Sequence, residues 1–344
     1  MSQLPQYIDI HQLLKKTDNN FTTVYIDVRS EAEYHQAHII GAVNIPILNN
    51  EERKIIGKLY VKEGKEKAIM KGYELIGPKF HLILKKIKTI AFDKNIVLYC
   101  WRGGMRSLIM EWLCSTMGWK TLILNGGYKS YRKAMLEVLN NKYKFKILSG
   151  ATGSGKTEIL QQLSKYAQVI DLEEIAIHKG SVYGQLHTTL QQPSQEQFEN
   201  KLAEKLLSFN KDTTIWLEAE SRLIGRCAIP DPILAQMDVS DHIQLNVEMA
   251  IRAKRIATEY AHLPIDKLIE ATSKLQKRMG GQNVKQAIAY LQNNQIEKWI
   301  LMMLSYYDKT YIYAMTRRRQ NNIKSFTYDG IDSKHIISYL LSLD

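Results

Sequence analysis

The chain has 344 residues, 45% of them hydrophobic and 24% charged, with a formal net charge of +12. That length suggests about two domains, and that balance is ordinary for globular protein able to bury a core in each. No apolar run reaches membrane-spanning length, residues 1–16 lack a secretion signal, and three irregularly spaced cysteines (Cys100, Cys114, Cys227) argue against a disulfide framework and a zinc site, so a cytoplasmic protein without membrane contact is expected.

Taken in order, Val24–Val28 reads as a short apolar strand and Arg29–Tyr34 as the opening of a helix. His38–Pro46 reads as a turn and a strand, and Glu51–Ile83 as mostly helical, punctuated by Gly57, Gly64, Gly72 and Gly77. Ile96–Tyr99 is an apolar strand that runs straight into Cys100-Trp101-Arg102-Gly103-Gly104-Met105-Arg106-Ser107. A helix over Leu108–Met117 and a strand over Thr121–Leu124 follow, ending at Asn125-Gly126-Gly127-Tyr128. The charged helix Lys129–Lys144 carries the boundary between a first domain, residues 1–138, and a second, residues 139–344. Beyond it come strands at Tyr143–Leu148, Val169–Leu172, Thr214–Glu218 and His242–Leu245. Val247–Ala314 is almost wholly helical in pattern, and Ile323–Tyr328 closes the sheet. Strands alternating with helices mean an α/β fold with a parallel sheet in each half and a helical C-terminal part.

Two stretches carry chemistry. Gly150-Ala151-Thr152-Gly153-Ser154-Gly155-Lys156-Thr157 fills every fixed position of the phosphate-binding pattern G-x-x-x-x-G-K-[ST], between a strand and a helix over Glu158–Tyr166. Such a loop points backbone N–H groups inward at a helix N-terminus, with Lys156 reaching a terminal phosphate and the Thr157 hydroxyl able to hold a magnesium ion. The motif does not say which phosphate-bearing molecule it takes. The second stretch places Cys100 between a strand and a helix N-terminus, with Arg102 and Arg106 close by. That setting favours thiolate over thiol. Cys114 and Cys227 read as packing residues. Residues 1–140 carry 21 basic and 13 acidic side chains and residues 141–344 carry 26 and 22, so positive charge is spread over both halves, which points to a polyanionic partner, nucleic acid first.

Residues 25–46 (YIDVRSEAEYHQAHIIGAVNIP) resemble the first half of rhodanese domains, and Cys100 matches the rhodanese nucleophile. The C-x-x-x-x-x-R spacing from Cys100 to Arg106 is one residue longer than in common sulfurtransferase loops. It is also seen in cysteine-dependent phosphatases, although Tyr99 stands where those carry histidine. The whole chain resembles the tRNA 2-selenouridine synthases, which join a rhodanese domain to a P-loop NTPase-like domain in this order. The match runs through CWRGGMRS, LNGGYKSYR, GATGSGKT, DLEEIAIHKGSVYG, QPSQEQFE, LEAESRLIG and YYDKTY.

The resemblance implies a tRNA-binding transferase that converts wobble 2-thiouridine to 2-selenouridine. In that family the sulfur is first alkylated with a geranyl group from geranyl diphosphate, and selenium from selenophosphate then displaces the S-geranyl group. It implies Cys100, Arg102 and Arg106 in the selenium step and Gly150, Thr152, Gly153, Ser154, Gly155, Lys156 and Thr157 on the diphosphate. No tightly bound cofactor is implied; Mg²⁺ is a candidate ion at the phosphate loop, and the enzyme that makes selenophosphate is a candidate partner. Asp171 and Glu218, at strand ends, are candidates to hold Mg²⁺ or its water, with Glu220 and Arg222 facing the same crevice. Trp101, Tyr128 and Tyr183 are candidate platforms for a splayed base. Lys129, Arg132, Lys133, His178, Lys179, Arg317 and Arg318 are candidate tRNA contacts. Two other readings stay open on the motifs alone: an ATP-dependent kinase or hydrolase fused to a sulfurtransferase or phosphatase-like cysteine domain, and an inert tRNA-binding module.

Overall fold

Two five-stranded parallel sheets organise the chain, which divides into units of residues 1–138 and 139–344. The structure is a computed structural model describing residues 4–15, 23–91, 94–260, 262–317, 323–329 and 333–343. In the first unit β1 (Tyr7–Ile8), β2 (Thr23–Asp27), β3 (Val43–Asn44), β4 (Asn95–Tyr99) and β5 (Thr121–Leu124) lie in the order β1-β5-β4-β2-β3. Helices α1 (Ile10–Lys15), α2 (Glu31–Gln36), α3 (Asn50–Glu63), α4 (Lys65–Ile76), α5 (Phe80–Ala91), α6 (Met105–Ser115) and α7 (Gly127–Leu139) connect and cover them. β4 is central, pairing with β2 on one side and β5 on the other, and its residues Ile96 to Tyr99 are all buried. A strand covered on both faces has no polar side to present, hence its unbroken apolar run. α5 adds Ile83, Ile87 and Ala91, four residues apart on one stripe, to the core beneath.

The second unit holds β6 (Lys144–Gly150), β7 (Gln168–Ile170), β8 (Thr214–Glu218), β11 (Asp241–Asn246) and β12 (Ile323–Thr327) in the order β12-β11-β6-β8-β7. A small antiparallel hairpin, β9 (Leu223–Ile224) and β10 (Cys227–Ala228), stands apart from that sheet. The helices are α8 (Lys156–Leu163), α9 (Leu172–Ala176), α10 (Gln195–Leu207), α11 (Asp231–Val239), α12 (Met249–Tyr260), α13 (Ile265–Ser273), α14 (Gln276–Met279), α15 (Gly281–Gln292), α16 (Ile296–Arg317) and α17 (Ser333–Leu341). Leu148 of β6 pairs with both Glu218 of β8 and Ile243 of β11. The phosphate loop therefore leaves the sheet between the carboxyl ends of two neighbours, where open α/β sheets bind ligands. α12 to α16 build a separate helical core around Trp299, Leu304 and Tyr183. Among the described residues no helix is long and apolar enough to cross a membrane.

Several local expectations shift. His38–Pro46 forms only the two-residue β3, because Gly41, at φ +78°, turns the chain just before it. Gly57 and Gly72 lie inside helices, whereas Gly64, at φ +90°, separates α3 from α4. The charged helix ends at Leu139, before β6 begins. The strand expected through Leu172 stops at Ile170, since the Asp171 side chain accepts from Glu174 N (2.9 Å) and starts α9.

Candidate active sites

Cys100 is buried at the first position past β4, and residues 100–104 turn over the N-terminus of α6. The turn is clamped from behind by the start of α7. Tyr128 N donates to Cys100 O (2.8 Å) and Lys129 N to Trp101 O (3.0 Å). Gly127 has φ +59°, and a Cβ there would stand within 2.8 Å of three backbone atoms: Cys100 O, Gly103 N and Arg102 N. Only glycine allows so close an approach in that conformation.

Charge near this loop is distributed in an order the sequence did not reveal. Arg29 is 1% exposed; its guanidinium donates to both carboxylate oxygens of Asp27 and to Ala37 O, and lies 4.1 Å from the ring centre of Tyr128. Tyr128 is fully buried under it and cannot serve as a base platform, which corrects that expectation. Arg106 reaches Glu33 on α2 (2.7 Å), and Glu33 also meets Arg53 and accepts from Ser30 N. Burial alone would push the Glu33 carboxyl up, but the Arg106 hydrogen bond and charge, with Ser30 and Arg53, outweigh it and bring it to about 2. Arg106 thus sits in an ion-pair network. Arg102 and Trp101 are exposed beside Cys100. Burial raises Cys114 to about 12, and burial likewise raises Cys227. Both are inert packing thiols. Lys129 is exposed, Arg132 half-buried, and Lys133 pairs with Glu137 within α7.

In the second unit Gly150, Gly153 and Gly155 take φ of +156°, +79° and +84°, bending the loop around its own N–H groups. Thr152 is exposed at its crest, and Ser154 is fully buried with a hydroxyl that has no partner among the described residues. Lys156 Nζ donates to Gly150 O (2.9 Å) and lies 3.4 Å from Glu218 Oε1, while Thr157 Oγ1 donates to Glu218 Oε2 (3.0 Å). α12 packs over the loop. Its Arg252, 5% exposed, donates to Thr152 O (3.2 Å) and forms a bidentate pair with Asp308 of α16. A cavity of about 340 Å³ adjoins the loop at Ala151, lined by Leu245, Asn246, Val247, Tyr311 and Thr327 among others.

Acidic groups gather behind Lys156. Glu173 of α9 and Glu220, just past β8, both flank Gly180: a Cβ there would stand 2.7 Å from Glu173 Oε1 and 3.4 Å from Glu220 Oε2. Burial raises both carboxyls, and the charges of Glu218 and Asp171 add to it, so the pair keeps its protons to higher pH than free carboxyls do. Among the described residues no group of three or more His, Cys, Asp or Glu side chains is arranged to hold a metal ion.

Other expected contacts are engaged elsewhere. Arg222 pairs with Asp231 (2.7 Å) and Lys179 with Glu259. His178 is half-buried, and burial lowers its pKa toward a neutral ring. Tyr183, 2% exposed, is packed edge-on against Tyr260 and Trp299, so it too is core rather than platform. Arg317 ends α16, and Arg318 lies outside the described residues. Glu33, Glu173, Arg252, Arg255 and Asp308 escaped the sequence reading. Glu33 alone had a local signal, the S-x-x-E of Ser30 and Glu33 at a helix start.

With this geometry in hand, the comparisons are specific. The family profile described as the tRNA 2-selenouridine synthase AAA domain matches residues 143–340, and that of the rhodanese-like domain matches residues 9–134. Proteins named tRNA 2-selenouridine synthase are similar over most of the chain. That of Nitrosomonas europaea is 31% identical, covering 87% of this chain and 91% of its own. That of Marinobacter nauticus is 33% identical over 86% and 89%. That of Aeromonas salmonicida is 29% identical over 93% of each.

Proposed function

The chain belongs to the tRNA 2-selenouridine synthase family, and from that premise we propose that it replaces the sulfur of 2-thiouridine in tRNA by selenium in two steps served by its two units. In the first, the thiocarbonyl sulfur attacks C1 of geranyl diphosphate, the C–O bond breaks, the diphosphate leaves with the electron pair, and the N3 proton of the base passes to solvent. Alkylation turns a poor leaving group into a thiolate. In the second, selenium from selenophosphate adds at C2 of the base and the geranyl thiolate departs. Water then takes the phosphoryl group, so no oxidant is needed.

The observation that carries this reading is a complete phosphate loop and a cysteine loop on one chain, each at the carboxyl end of a central parallel strand. The loop N–H groups, Lys156 and the Ser154 hydroxyl, which has no partner among the described residues, suit an oxyanion ligand. Negative charge grows on the diphosphate as the allylic bond breaks, so these donors act most strongly in the transition state. A magnesium ion, when bound, would be held by Thr157 and Glu218, whose hard oxygen donors suit it, and would add positive charge there. The cavity at Ala151 lies within the usual size of small-molecule sites, about 300–1,000 Å³, and takes the organic chain. Cys100 serves the selenium step, with Arg102 exposed beside it to meet selenophosphate.

The test is mass spectrometry of nucleosides from thiolated tRNA incubated with the protein, geranyl diphosphate and selenophosphate. 2-Selenouridine forms with the wild type. With Cys100→Ser it does not, and S-geranyl-2-thiouridine accumulates. Undiminished 2-selenouridine from the serine variant would remove Cys100 from the scheme. ATP hydrolysis without any change in the tRNA would favour a kinase or hydrolase instead.

A further inference from the structure

Helix α12 brings two arginines to the phosphate loop, and they are held very differently. Arg252 is locked by its bidentate pair with Asp308 and its bond to Thr152 O, and only 7% of its side chain is exposed. One turn further along the same helix, the Arg255 guanidinium lies against Gly155, the residue immediately before Lys156. Its Nη1, Cζ and Nη2 all lie within 3.3 Å of where a Cβ on Gly155 would stand. The φ of +84° is what favours glycine there, since the guanidinium is the movable end of a long side chain. Arg255 is paired with Glu158 of α8 (2.5 Å) and lies 5.8 Å from the ring centre of Tyr328. The Glu158 side chain is 67% exposed. A pair with so solvated a partner is weak and readily exchanged for a more highly charged anion.

We propose that Arg255 is a catalytic residue of the second unit, a side-chain cation that touches the diphosphate bound in the loop. Lys156 stands at the Gly150 carbonyl and Arg255 at Gly155, so the two cations bracket the ring of loop N–H groups. An anion seated on those groups at the start of α8 lies within reach of the guanidinium, which can bind two phosphate oxygens at once, as an ammonium cannot. Arg252 fixes the helix, and Arg255, which also bonds the Tyr328 hydroxyl, would exchange its exposed partner Glu158 for the ligand. As the diphosphate leaves, its charge rises, and Arg255 gains interaction energy together with Lys156. The inference rests on the reading of the loop as a diphosphate site.

The experiment uses the full chain and inorganic pyrophosphate as probe, with Arg255→Ala, Arg255→Lys and Lys156→Ala compared with the wild type. Pyrophosphate affinity is measured by calorimetry and geranyl transfer to thiolated tRNA by initial rates, after each variant is shown to melt like the wild type. Arg255→Ala is expected to bind pyrophosphate about tenfold or more weakly and to transfer geranyl on the order of a hundredfold more slowly. Arg255→Lys recovers only a small part of either loss. Added guanidinium ion restores transfer in Arg255→Ala and not in the lysine variant, which a merely structural role would not produce. If Arg255→Ala matches the wild type while Lys156→Ala fails, the role of Arg255 is overturned and the diphosphate site stands. If both match the wild type, the reading of the loop falls as well.

Discussion

The pair Glu173 and Glu220 gives the protein a pH dependence that runs against the common acidic one. Both carboxyls are raised by burial and by neighbouring acids, so the folded chain holds a proton that the unfolded chain, near the ordinary value of 4.5, has released. Stability therefore falls as pH rises from about that value through neutrality, because the unfolded state binds fewer protons in that window. Glu33 has the opposite sign. Its carboxyl is depressed to about 2, so its contribution is complete above pH 4.5 and is lost only as pH falls through the folded value. Glu173→Gln cannot ionise. It should raise the melting temperature at pH 8 by a few degrees and leave it nearly unchanged at pH 5, a difference that thermal melts in matched buffers will show. A variant with the wild-type slope would mean that no proton is held there. The acidic neighbours Asp171 and Glu218 were legible from their places at strand ends. Glu173 was not, because its partner Glu220 lies 47 residues away in the chain and only the fold brings both to Gly180.

At the scale of elements, the start of α7 acts as a wedge behind the cysteine loop. Gly127→Ala would require a Cβ where the loop backbone stands and a left-handed conformation that alone costs about 1–3 kcal/mol. The variant is expected to melt lower and to lose selenium incorporation while geranyl transfer, assigned to the other unit, continues; full selenium incorporation would show that the loop needs no such support. The sequence announced both functional loops, because glycine, lysine and cysteine patterns next to apolar strands are local signals. It also announced the alternation of strand and helix. It could not announce β1, two residues long and made a strand only by pairing with β5, nor the hairpin of β9 and β10. Tyr128 shows the limit well. An aromatic after two glycines suits a surface platform or a core equally, and the choice was made by Arg29, 99 residues earlier, stacking on its ring. The Arg252–Asp308 brace joins α12 to α16 across 56 residues and leaves no periodic trace.

For the whole molecule, the excess of positive charge is spread over both units, and tRNA binding should depend steeply on salt. Raising salt from about 50 to 200 mM should weaken binding by several orders of magnitude if six or more phosphates are neutralised, since each contact releases condensed counterions. Filter binding or fluorescence anisotropy across that range measures the slope, and a flat response would exclude electrostatic docking. The covalent connection has a further consequence. α7 ends at Leu139 and β6 begins at Lys144, so residues 140–143 alone join the last helix of one unit to the first strand of the next. A short link of that kind holds two binding sites at an effective concentration near the millimolar range. Under the proposed two-step scheme, a geranylated tRNA that lets go of one unit would be recaptured by the other before it is lost to bulk solvent. The alkylated nucleoside would then remain a transient within a single encounter rather than a product that accumulates in the tRNA pool, and the fusion would act as a kinetic device as much as a scaffold.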